Sequence, residues 1–110
     1  QQIFVFDTIK KLGYEPILNY PEMSFSLDVA LFIDDFKIDI EYDGWYWHQN
    51  VQKDTIRNKI LIENGWNIIR IHSGEKFPSN EDILISINNV INNNKKLQII
   101  TLDDWKTQTN

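Results

Sequence analysis

The sequence predicts an α/β domain in which a mixed sheet is flanked by helices. Three observations lead there. Two β-rich runs, SLDVALFI (26–33) and FKIDIEY (36–42), stand back to back with only Asp34 and Asp35 between them. Segments with helical periodicity precede and follow this pair, and a further apolar run, 66–71, separates the last two helical segments. The order is then α-β-β-β-α-β-α, which places helices against a sheet that mixes parallel and antiparallel strands.

Residues 2–12 carry Ile3, Phe6 and Ile9 at helical spacing and stop at Gly13, a residue suited to the left-handed position that closes a helix. After Pro16 the short run ILNY, closed by Pro21, predicts an edge strand. The two β-rich runs predict a hairpin, although Asp34-Asp35 lacks the glycine that a tight primed turn prefers. In the second run Phe36, Ile38 and Ile40 alternate with Lys37, Asp39 and Glu41, which predicts one buried and one polar face. Residues 50–64 return to helical spacing, with Asn50 as N-cap, Val51, Ile56, Ile60 and Leu61 as apolar positions and Asn64-Gly65 as the stop. Trp66 to Ile71 then predicts a buried strand, and residues 80–93 a helix carrying Ile83, Ile87, Val90 and Ile91. The tail LQIITLDDW leaves room for one more short strand.

A length of 110 residues suits a single compact domain, 1–110, with a modest core. There is no cysteine, which removes disulfide staples and thiolate zinc sites. No apolar run approaches the roughly 20 residues of a membrane span, and the start QQIFVFDTIKK lacks the layout of a signal peptide. The expectation is an intracellular, cytoplasmic protein that meets no membrane, and the missing initiator Met predicts a piece of a longer chain. The net charge of -5 argues against gripping nucleic acid by electrostatics alone. The charge is uneven, however: residues 1–50 hold nine acids against three Lys, and residues 51–110 hold eight Lys plus Arg against seven acids. An acidic pocket facing a more basic half fits a metal-dependent enzyme acting on a polyanion. A solvated acidic surface fits the same numbers.

The chemistry concentrates in IEYDGWYWH and the helix-like run after it. If Asp34 and Asp35 form the hairpin loop, Ile33 pairs with Phe36 and Asp28 falls opposite Glu41. Two carboxylates so placed repel, and a hard cation such as Mg²⁺, held by one or two carboxylates plus phosphate and water, would compensate them. Asp43, two residues on, projects from the same face. The plain alternative is a solvated polar face, or a one-residue slip that separates the pair. Against it stands the apolar setting of Asp28, where a lone carboxylate is costly to bury.

His48 beside Trp45, Tyr46 and Trp47 is either a packed residue or a general base or acid near neutral pH. Asp54 could orient its imidazole, or could be a first-turn acid favoured by the helix dipole. Arg57 either contacts phosphate or pairs with Asp54. Trp45 is open between core and stacking surface, whereas Trp66 at a strand start is expected in the core. His72 has only proximity to recommend it.

The ordered set of an Asp in an apolar strand, a hairpin return ending in IEYDGWYWH, and Asp54, Arg57, Leu61, Gly65 and Trp66 in D-x-x-R-x-x-x-L-x-x-x-G-W resembles the very-short-patch-repair-type branch of the PD-(D/E)XK nucleases. Within it the chain is most similar to catalytic domains of phage and intron-encoded homing endonucleases of the EDxHD group, the closing LDDW included. The resemblance spans about residues 26–71. It implies a restriction-endonuclease-like αβββαβ core with flanking helices and Mg²⁺-dependent hydrolysis of phosphodiester bonds in double-stranded DNA, with Mn²⁺ as a substitute.

By position, Asp28 and Glu41 are the implied metal ligands, His48 the catalytic His and Asp54 its paired acid. Asp43 stands where the usual Lys would be and is carried as a catalytic position of unassigned role. Lys53, Arg57 and Trp45 are the candidate DNA contacts. The branch's N-terminal-helix Glu is absent, Gln2 being nearest to its place, and the mismatch-repair zinc site cannot form without cysteine. The expectation is an endodeoxyribonuclease domain, free to dimerise or oligomerise, whose target site is read by a separate DNA-binding domain. The rival expectation is a non-catalytic nuclease-like module that binds DNA or protein through its aromatic loop.

Overall fold

The computed structural model describes the backbone of residues 2–44, 46–105 and 107–108, and the side chains of residues 2–44 and 51–105. Five strands form one sheet in the order β1-β2-β3-β5-β6. β1 (Ile17–Glu22), β2 (Phe25–Ile33) and β3 (Phe36–Asp43) run antiparallel, and β5 (Trp66–His72) and β6 (Leu97–Thr101) continue the sheet in parallel to β3. α1 (Gln2–Lys11) and α3 (Asn80–Asn93) pack on one face, where Val5, Ile9, Ile83, Ile87 and Val90 meet Val29, Leu31, Ile38, Ile40, Ile69 and Ile71. α2 (His48–Glu63) lies on the other face, with Leu61 against Leu27, Ala30, Trp66 and Ile68. This is the mixed sheet with flanking helices that the sequence predicts. A two-stranded parallel pair, β4 (Tyr46–Trp47) with β7 (Thr107–Gln108), was not legible from two residues of pattern on each side.

The hairpin has the inferred register, with Ile33 opposite Phe36 and Val29 opposite Ile40. Its turn works without glycine because Asp34 takes the left-handed conformation, φ 52°, which a short polar side chain tolerates. β1 is the edge strand and extends through Pro21, whose missing donor costs nothing at an edge. α3 is capped at both ends: Ser79 accepts the Asp82 N–H and Asn94 closes the helix in the left-handed region. Trp66 is core at 1 % exposure, with its indole N–H on Glu22. Among the described residues no helix is long and apolar enough to cross a membrane.

Three sequence expectations change. α1 buries Val5, Thr8 and Ile9, an i, i+3, i+4 stripe, and leaves Ile3 exposed, because Ile3 falls on the opposite side of the helix from that stripe. α2 begins at His48, so Asn50 is inside the helix and is not its cap. Val51 and Ile56 are exposed, and the positions turned inward are Asp54, Arg57, Asn58 and Leu61 at i, i+3, i+4, i+7. Finally, the polar face of β3 is not solvated: Asp39, Glu41 and Asp43 are all buried, at 0, 4 and 7 % exposure. The second and third changes share a cause, since the polar stripe of α2 covers the acidic row of β3.

Candidate active site

The site begins where the β2–β3 ladder opens. The paired register ends at Val29 and Ile40, and beyond it the side chains of Asp28 and Glu41 take over from the backbone ladder. Glu41 Oε2 accepts the Asp28 N–H at 2.9 Å, and Asp28 Oδ2 accepts the Tyr42 N–H at 3.0 Å. Each carboxylate is therefore fixed by the other residue's strand. Strict alternation in β2 also breaks here, since Leu27 and Ala30 join the same cluster, and Asn19 on β1 takes φ 52°. Burial and then repulsion from Glu41 push the Asp28 carboxyl up to about 6. Burial and then Asp39 push Glu41 up to about 9. No donor among the described residues reaches either oxygen of Asp39, so a bond between Asp39 and Glu41 requires a proton on one of them.

Two arginines balance this charge, and they do so differently. Arg57 of α2 places Nη2 3.1 Å from Glu41 Oε1 and donates to the Ser26 carbonyl. Arg70 of β5 sits beside the acids through the parallel register, which pairs Glu41 with Arg70 and Asp43 with His72. Its Nη1 is 3.0 Å from both oxygens of Asp43 and 3.2 Å from Asp54, and its Nε donates to Asn58. Burial works against the Arg70 charge, but Asp43 and Asp54 outweigh it and raise its pKa. Burial also raises Asp54, against the pull of Arg70.

His72 Nε2 lies 3.2 Å from Asp43 Oδ2, and its ring stacks on Trp105 at 4.4 Å. Trp105 is delivered by the LDDW turn. There Asp104 gathers the N–H groups of Gly74, Glu75 and Lys76 and the Ser73 hydroxyl, which hold its carboxyl down at about 2. A side chain at Gly74 would meet the Asp104 carbonyl at 2.9 Å, so this close approach requires glycine.

The fold thus brings Asp28, Glu41, Asp43, Asp54, Arg57 and Lys53 around one open cavity of about 310 Å³, with Arg70. His48 opens α2, but its side chain, like the whole of Trp45, lies outside the described residues. Arg57 does not pair with Asp54 as one sequence reading had it: its partner is Glu41, and Asp54 belongs to Arg70. His72 has more than proximity, because strand register seats it on Asp43. Arg70 and Asp39 were missed. A lone Arg inside the apolar run WNIIRIH was the available signal for the first, and the alternation that singled out Glu41 was the signal for the second.

Among the described residues no three of His, Cys, Asp and Glu gather in a geometry for a metal ion. Asp28 and Glu41 offer two carboxylates, the hard oxygen donors that Mg²⁺ takes from proteins one or two at a time. Both line the open cavity, so their donor types suit such a cation, with Arg57 already standing at Glu41 Oε1.

A family model described as REase_MTES_1575, a restriction-endonuclease-like family, matches residues 2–91. No curated protein and no solved structure gives a match.

Proposed function

The chain belongs to this restriction-endonuclease-like family, and from that membership we propose that it is a metal-dependent DNA endonuclease domain. The observation that carries the reading is the pair of carboxylates at the open end of the hairpin, Glu41 accepting the Asp28 N–H and Asp28 accepting the Tyr42 N–H, beneath the polar stripe of α2. Asp28 and Glu41 would hold Mg²⁺ or Mn²⁺, and such a cation, when bound, supplies charge neutralisation at the scissile phosphate. The chain's own groups do the rest. Arg70 holds Asp43 and Asp54 at the site, Lys53 stands at the rim facing a polyanion, and His48 is assigned proton transfer with Asp54 to orient it. The ordered spacing of Asp54, Arg57, Leu61, Gly65 and Trp66 supports placement in the very-short-patch-repair-type branch, nearest the homing endonucleases. With a net charge of -5, target selection on double-stranded DNA falls to a separate DNA-binding domain.

Plasmid cleavage or nicking with Mg²⁺ tests the reading: it should be lost in Asp28→Ala and His48→Ala and kept in Ile85→Ala, an exposed site on α3. Full activity in the first two would overturn it. A non-catalytic module is the second reading, favoured by one observation: Glu41 already carries a cation, Arg57. A Mn²⁺-induced rise in melting temperature separates the two.

A further inference from the structure

The two arginines of the site are held to very different degrees. Arg70 is 3 % exposed and reaches Asp43, Asp54 and Asn58, so it is a fixed part of the architecture. Arg57 is 22 % exposed and touches its acid through one nitrogen, Nη2, the same atom that donates to Ser26. Its Nε is buried without a hydrogen-bond partner, and the guanidinium rests 5.3 Å from the Phe25 ring. A planar fork built for bidentate carboxylate binding is here used at a fraction of its capacity. Glu41, in contrast, is fully engaged: Oε1 faces Arg57 and Oε2 accepts the Asp28 N–H.

We infer that Arg57 is a built-in counter-ion that competes with a divalent cation for Glu41, and that loading the cation releases its guanidinium toward the substrate's phosphate. The inference rests on the proposed metal-dependent reading. A divalent cation on Glu41 would lie within a few ångströms of a guanidinium drawing on the same carboxylate, and like charges at that range repel strongly in a half-buried site. Of the two arginines Arg57 is the less firmly held, touching one acid and one carbonyl through a single nitrogen, whereas Arg70 is pinned by Asp43, Asp54 and Asn58. Arg57 also lines the open cavity with Lys53, so the displaced fork stays where a phosphate would enter, with geometry suited to bind it.

The test is Mn²⁺ binding by titration calorimetry on the wild-type chain, Arg57→Gln and Glu41→Gln, together with melting temperatures in EDTA and in Mn²⁺. Removing the competitor should tighten Mn²⁺ binding about fivefold, the scale of a partly exposed ion pair. Arg57→Gln should also melt lower than wild type in EDTA and gain more from Mn²⁺. If Arg57→Gln does not fold, Arg57→Lys replaces it and should show a smaller gain of the same sign. Equal or weaker Mn²⁺ binding by the folded variant, with binding lost in Glu41→Gln, would overturn the competition and leave the metal site standing. Absence of Mn²⁺ binding in both chains, or binding that survives Glu41→Gln, would overturn the metal-dependent reading and the competition with it.

Discussion

Arg70 Nη1 lies 3.0 Å from both carboxylate oxygens of Asp43, joining β5 to β3 from beneath α2. The two residues are offset along the ladder, where Asp43 pairs with His72 and Arg70 with Glu41, so the ion pair is diagonal. Both side chains are nearly inaccessible, at 3 % and 9 % exposure.

Removing one partner of a buried pair leaves the other charge unpaired, which is the costly case. Arg70→Met is therefore expected to lose about 3 kcal/mol of folding stability. Urea denaturation measures it, and a loss below about 1 kcal/mol would show that Asp43 finds another partner.

The carboxyl cluster sets a pH dependence of opposite sign to the usual acid denaturation. Glu41 is raised from 4.5 to about 9 and Asp28 from 3.8 to about 6, so the folded chain binds more protons than the unfolded one across this window. Stability then falls as pH rises from about 4.5 toward 9. In EDTA the melting temperature should be higher at mildly acidic pH than at mildly alkaline pH. Glu41→Gln should flatten that slope, and Mn²⁺ should reduce it by competing with the protons; a slope that Glu41→Gln leaves unchanged would contradict the assignment.

Asp104 behaves in the other direction. Its carboxyl is lowered from 3.8 to about 2 by backbone N–H groups, so its stabilising contribution is full above 3.8 and is lost as pH falls through about 2. Asp104→Ala should lower the melting temperature at neutral pH and have a shrinking effect below 3.8. Because Trp105 follows directly, the same variant should alter the His72 imidazole resonances in an NMR spectrum. Unchanged resonances would mean that Trp105 holds its place without the turn.

On the proposed function, Asp28→Asn and His48→Ala act at separate steps. Loss of a general acid or base typically costs about 10²–10⁴ in rate, which is the expectation for His48→Ala with Mn²⁺ affinity unchanged. Asp28→Asn should lose both activity and Mn²⁺ affinity. Calorimetry and plasmid nicking on the same preparations distinguish the two patterns, and a His48→Ala variant that also fails to bind Mn²⁺ would place His48 among the ligands.

The residues themselves determined every major element, because apolar periodicity and turn chemistry act over a few neighbours. The hairpin register was legible for the same reason: a two-residue loop at Asp34-Asp35 leaves little choice of pairing from Ile33 and Phe36 to Val29 and Ile40, and that register carries Asp28 toward Glu41, whose carboxylate accepts its N–H. Tertiary structure decided which faces are covered. Alternation in FKIDIEY marks a polar face but not what lies over it, so the burial of Asp39, Glu41 and Asp43 followed only from the packing of α2, whose inward stripe is itself polar. It also decided partners across distant segments. Parallel pairing of β3 with β5 spans a helix, has no loop to dictate its register, and so neither the seat of Arg70 between Asp43 and Asp54 nor that of His72 beneath Trp105 could be read from local spacing.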